Sequence, residues 1–134
     1  MKVLFLSNEV SMDDKIDAEM NLAMCELKSA EILLDADQYR DSITHSYYAM
    51  FSASKALLLT KNYQVKTHEG LLRVFGREFI KEGDFSRDVF KYLTDAKDMR
   101  KDTCYDSLAT FYFEDAEESF LNAKLFIAEI KKFL

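Results

Sequence analysis

Proline is absent from this chain, and glycine occurs only at Gly70, Gly76 and Gly83. A sheet protein needs a turn every few residues, and tight turns draw on glycine and proline for their backbone angles. A chain so poor in both points instead to long, seldom interrupted helices. Apolar residues make up 49% of the sequence, enough for one buried core, and 134 residues fit one domain.

Apolar residues recur at steps of three and four, the spacing of one helix face. The pattern predicts helices over about 12–35, 38–61, 67–83, 86–101 and 113–133. Ser11 with Asp14, then Thr67, then Asp84 or Ser86 are start caps, and Gly83 is a stop. Connections of a few residues pack neighbouring helices antiparallel. The expected fold is therefore all-α: an antiparallel up-and-down bundle of four long helices and a short one over 12–134, behind an N-terminal extension, 1–11. Eleven phenylalanines and seven tyrosines supply much of the apolar area.

Two cysteines, Cys25 and Cys104, read as free thiols of a reducing compartment. Met1–Ser7 is too short for the apolar stretch of a signal peptide, and nothing later approaches the ~20 apolar residues of a membrane span. A cytoplasmic location without membrane contact is expected. The net charge of −6 argues against a general nucleic-acid binder. Basic residues outnumber acidic ones only over 61–101, so an anionic partner would meet that stretch first.

Few residues suggest chemistry. Arg100 and Tyr105 stand in RKDTCYD, at and just past the expected end of the fourth helix. An arginine fork can hold a phosphate and a tyrosine hydroxyl can donate to it; equally, Arg100 can complement its own helix dipole while Tyr105 packs under a loop. His45, beside Tyr47 and Tyr48, is a base for neutral pH or a boundary residue of its helix. Lys66-Thr67-His68 can cradle an anion at a helix start or be a threonine cap between solvated neighbours. The acidic groups Asp13, Asp14, Asp17 and Glu114, Asp115, Glu117, Glu118 suit helix starts, so no metal site is expected. There is no glycine-rich phosphate loop and no serine or cysteine nucleophile signature, and no cofactor is expected.

Three stretches together resemble the HEPN domain: SITHSYYAMFSASKALLL (42–59), KTHEGLLRVFGREFIKEG (66–83) and MRKDTCYD (99–106). The likeness is to its small stand-alone branch, with Tyr-Tyr-Ala-x-Phe, Lys-Thr-His and Arg-x4-Tyr-Asp segments, and covers about 12–133. The resemblance implies a helical bundle, a homodimer, and a partnership with a minimal nucleotidyltransferase (MNT type) in a toxin–antitoxin or defence pair. It places Arg100, Tyr105 and Asp106 at a groove for RNA or nucleotide, with Lys66, His68 and His45 as further candidates. Many HEPN proteins are metal-independent ribonucleases in which an arginine stabilises the phosphate and a histidine four to six residues on moves the proton. Here Tyr105 holds that histidine's place, and no histidine follows His68. A tyrosine with an ordinary pKa of about 10 is a poor base at neutral pH. Arg100 can still stabilise charge, and His45 or His68 can replace the base from elsewhere in the bundle. The alternatives are a ribonuclease toxin and a catalytically silent dimeric scaffold.

Overall fold

The computed structural model describes residues 10–134. The expected N-terminal extension lies outside the described residues except for Val10 and Ser11. Five α-helices follow: α1 (Met12–Asp35), α2 (Tyr39–Leu59), α3 (His68–Phe75), α4 (Arg87–Tyr105) and α5 (Phe113–Lys131). A π-helical turn, Gly76–Lys81, continues α3. Among the described residues no helix is long and apolar enough to cross a membrane.

The caps explain most boundaries. Ser11, Thr67 and Ser86 each accept a hydrogen bond from the backbone N–H three residues on, at Asp14, Gly70 and Val89. The Asp115 carboxylate accepts from the Tyr112 N–H at 2.9 Å and starts α5. Asp37 and Asn62, which turn left-handed (φ 62° and 66°), lie just beyond the ends of α1 and α2. Short polar side chains tolerate that region, so the chain leaves these helices without glycine. Gly83 does not end α3 in that way: its φ is not positive, and a Cβ there would stand 2.9 Å from the Phe79 carbonyl oxygen. Glycine is required by close approach of the backbone.

Helix α2 is the centre of the bundle and packs against α1, α3, α4 and α5. Ser42, Ala49, Ala53 and Ala56 are buried on it, and such small residues let neighbouring helices come close. The Ser42 hydroxyl donates to the Ala30 carbonyl of α1 at 2.7 Å. Beneath the other end lies an aromatic cluster around Phe75, which is fully buried. Its ring lies 4.9 Å from those of Phe85 and Phe90, 5.8 Å from Phe79 and 6.1 Å from Phe126. One side chain thus joins α3, α4, α5 and the turns between them.

Helix α4 runs one turn past the expected end near 101, and Arg40 of α2 is the reason. Its Nη1 donates to the carbonyls of Asp102, Thr103 and Asp106 at 3.2, 2.8 and 3.0 Å, and its Nη2 to that of Ala109 at 2.6 Å. These carbonyls close α4 and begin the next loop, where helical partners run out and the dipole is negative. The Thr44 hydroxyl adds a 2.7 Å bond to that of Thr103. Arg40→Ala is expected to cost about 2–3 kcal/mol, the scale of hydrogen bonds to a charged group, and to free residues 102–109 for hydrogen exchange. Arg40→Lys should recover little of this, because one ammonium lacks the planar fork. Urea unfolding with amide exchange measures both; unchanged protection at 102–109 would refute the assignment.

Candidate functional site

Three helices bring one group of side chains together. Tyr47, Tyr48 and Phe51 come from one face of α2, His68 and Glu69 from the first turn of α3, and Lys97, Arg100 and Tyr105 from α4. Arg100 and Tyr105 share one helix, rather than a helix and the loop beyond it.

Arg100 is the centre. Its guanidinium carbon lies 5.9, 5.8 and 5.8 Å from the ring centres of Tyr47, Tyr48 and Tyr105. Three aromatic rings within about 6 Å hold the cation in place. Tyr48 keeps its high pKa higher still. Its Nε is buried and has no hydrogen-bond partner. A buried donor on a cation is costly to leave unmatched, so the site is short of an acceptor. Tyr105, 75% exposed, stands over Arg100 at the rim.

His68 is built into the same wall. The buried Tyr47 hydroxyl hydrogen-bonds its Nδ1, and its ring lies 4.5 Å from that of Phe51 and 5.5 Å from that of Tyr47. Burial, then the Arg100 charge, lower its pKa below 6.5; Glu69 opposes this and Lys97 adds to it. Burial also pushes the Tyr47 phenol upward, so it keeps its proton. Lys97 pairs with Glu69 at 3.3 Å, with its own side chain largely covered.

The sign of the His68 shift predicts a pH effect. The unfolded chain binds that proton more tightly than the folded one, so the stability is present above about pH 6.5 and is lost as pH falls through the lower folded value. Wild-type protein should therefore lose more stability between pH 7 and pH 5 than His68→Gln does. Equal losses in parallel urea titrations would contradict the assignment.

The other sequence candidates stand apart. His45 Nδ1 pairs with Glu26 Oε1 at 3.0 Å, and its ring meets the Tyr48 ring edge-on at 6.2 Å. Asp106 is a turn residue: its carboxylate accepts from the Leu108 N–H at 3.0 Å and its carbonyl from Arg40. Lys66 lines a hollow of about 260 Å3 with Lys15, Glu19, Lys55, Tyr63 and Val65. In sequence, Tyr47 stands on the apolar stripe of α2 and so is marked only as core, and no motif points to Lys97. The signal for Lys97 was its position one turn before Arg100 on the same face.

Comparison with known proteins bears on the family and the fold. The sequence model described as HEPN domain matches residues 20–133. Two proteins of Methanocaldococcus jannaschii that carry the name "Putative toxin" are 35% and 34% identical to this chain. The alignments cover 90% and 81% of it and 90% and 74% of their own lengths. A UPF0332 protein of Thermotoga maritima is 31% identical over 81% of this chain and 82% of its own. The crystal structure of TT1696 from Thermus thermophilus has the same fold, with a TM-score of 0.75 over 90% of this chain and 98% of that one, at 18% identity.

Proposed function

The chain belongs to the HEPN family, and from that premise we propose that it is the HEPN component of a cytoplasmic toxin–antitoxin or defence module. In this reading it works as a homodimer, pairs with a minimal nucleotidyltransferase, and contacts a nucleotide or RNA phosphate through Arg100. The observation that carries the ligand is the Arg100 guanidinium, framed by three tyrosines with a buried Nε that has no acceptor. A phosphate oxygen supplies that acceptor, and an arginine fork binds it with two charge-assisted bonds. The names of the two Methanocaldococcus relatives support the toxin context. Exposed Leu22 and Ile32 on α1 and Leu121 and Leu125 on α5 give protein partners apolar surface to cover.

Expression in a bacterial host tests the reading. The wild-type chain alone should arrest growth, and co-expression of the neighbouring nucleotidyltransferase gene should relieve the arrest and yield a complex that co-purifies. Normal growth with abundant soluble protein, and no complex, would sink it.

A further inference from the structure

We propose that the hollow between α1, α2 and the loop before α3 is a second binding site, and that it takes a small sugar or polyol phosphate, a dianionic phosphomonoester with hydroxyls on its carbon frame. The proposal does not depend on the reading of Arg100. Lys15 and Glu19 of α1, Lys55 and Leu59 of α2, and Tyr63 and Lys66 of the loop line this space. The loop that closes it is held in place. Asn62 turns left-handed, and the Tyr63 N–H donates to the Leu58 carbonyl at 3.1 Å. The Arg77 guanidinium carbon lies 5.6 Å from the centre of the Tyr63 ring. The volume, about 260 Å3, is just under the roughly 300–1,000 Å3 of pockets that hold drug-sized molecules, so a small metabolite fills it.

The polar groups of the lining define the ligand. Glu19 Oε2 pairs with Lys55 at 3.3 Å, while Glu19 Oε1 is buried and has no hydrogen-bond partner among the described residues. A buried carboxylate oxygen is costly to leave unmatched, so the wall is short of one donor. Lys15 and Lys66 form no ion pair among the described residues. With Lys55 balanced by Glu19, two lysine charges are left over. A phosphomonoester carries about −1.5 to −2 at pH 7 and matches them, and lysine holds phosphate as a point charge. A hydroxyl of the same molecule donates to Glu19 Oε1. Its carbon frame covers the Leu59 side chain and the Tyr63 ring, which inorganic phosphate leaves bare. Lys66, which has no part in the Arg100 group, thereby gains a role.

The test is an NMR titration of the full chain with glucose 6-phosphate at about 0.15 M salt, where loose attraction to exposed lysines is screened. Glucose and inorganic phosphate, each alone, are the controls. The expected result is saturable shifts of the Lys15, Tyr63 and Lys66 amides, an unmoved Arg100 signal, and binding at least about tenfold tighter than either control. Lys15→Ala and Lys66→Ala should each weaken the sugar phosphate about tenfold or more, the scale of one hydrogen bond to a charged group, with little change in melting temperature. Glu19→Gln keeps the shape but releases Lys55 from its pair. It should therefore tighten inorganic phosphate while shrinking the advantage of the sugar phosphate over it. Inorganic phosphate bound as tightly as glucose 6-phosphate by the wild type would overturn the proposal and reduce the hollow to an unselective set of lysines. Shifts that miss the hollow, or none at all, would overturn it as well. An advantage that Glu19→Gln leaves intact would show that Glu19 Oε1 does not receive the hydroxyl.

Discussion

Arg100→Ala is expected to weaken binding of a short RNA or nucleotide about tenfold to a hundredfold while leaving the fold nearly as stable as before. A hydrogen bond to a charged group contributes about 1.5–3 kcal/mol, and each 1.4 kcal/mol is a factor of ten in affinity. On the stability side two effects oppose one another. The substitution removes the contacts of the guanidinium with Tyr47, Tyr48 and Tyr105, worth about 0.5–1 kcal/mol each at a partly exposed site. It also removes a buried donor that has no acceptor, which relieves a penalty of about 1–3 kcal/mol. A large loss of binding with a small change in melting temperature separates a ligand-binding arginine from a structural one. Arg100→Lys, with charge but no planar fork, should fall between. The contrary pattern, strong destabilisation with unchanged binding, would make Arg100 a packing residue of α4.

Phe75→Ala should show the opposite signature, a loss of about 3–5 kcal/mol of stability. The ring is fully buried against four others that arrive from α4, α5 and the turns beside α3. The surroundings cannot easily collapse into the space, because each neighbouring ring is fixed by its own helix or turn. Domains of this size are stable by about 5–15 kcal/mol, so about a fifth or more of the total goes with one side chain. Thermal or urea unfolding gives the number. Phe75→Leu, which keeps most of the volume, should cost far less. A loss under about 1 kcal/mol in Phe75→Ala would mean that the rings are loosely packed.

The bundle was legible because its determinants are local. The apolar spacing and the caps at Ser11, Thr67 and Ser86 fix helices residue by residue, and each cap forms the expected bond. Where boundaries shifted, a distant residue had intervened. Arg40 extends α4 by binding its terminal carbonyls from another helix, and no window around residue 101 contains that information. The π-helical turn after Phe75 was equally invisible, since a wide turn has no side-chain signature of its own.

The site was half legible. Arg100, Tyr105 and His68 were singled out from motif spacing, and they do converge on one face. Their relation was not readable, because it runs through Tyr47, a residue whose position on the apolar stripe of α2 marked it as core. It is core, at 1% exposed, and its hydroxyl nonetheless reaches His68 at the edge. Tyrosine serves both roles because its body is apolar and its tip is polar. His45, Lys66 and Asp106 carried the same kind of signal in sequence, but Glu26, a separate lysine-lined hollow and a turn engage them instead.

The most direct test of the Arg100 site is an NMR titration of the whole chain with a short single-stranded RNA. The Arg100 Nε–H signal reports the one donor on that side chain that is buried and unmatched. The expected result is a saturable shift of that signal, with shifts at His68 and Tyr47 at the same RNA concentration. Saturable shifts confined to the Lys15, Lys55 and Lys66 hollow, with the Arg100 signal unmoved, would contradict the account and place the ligand elsewhere.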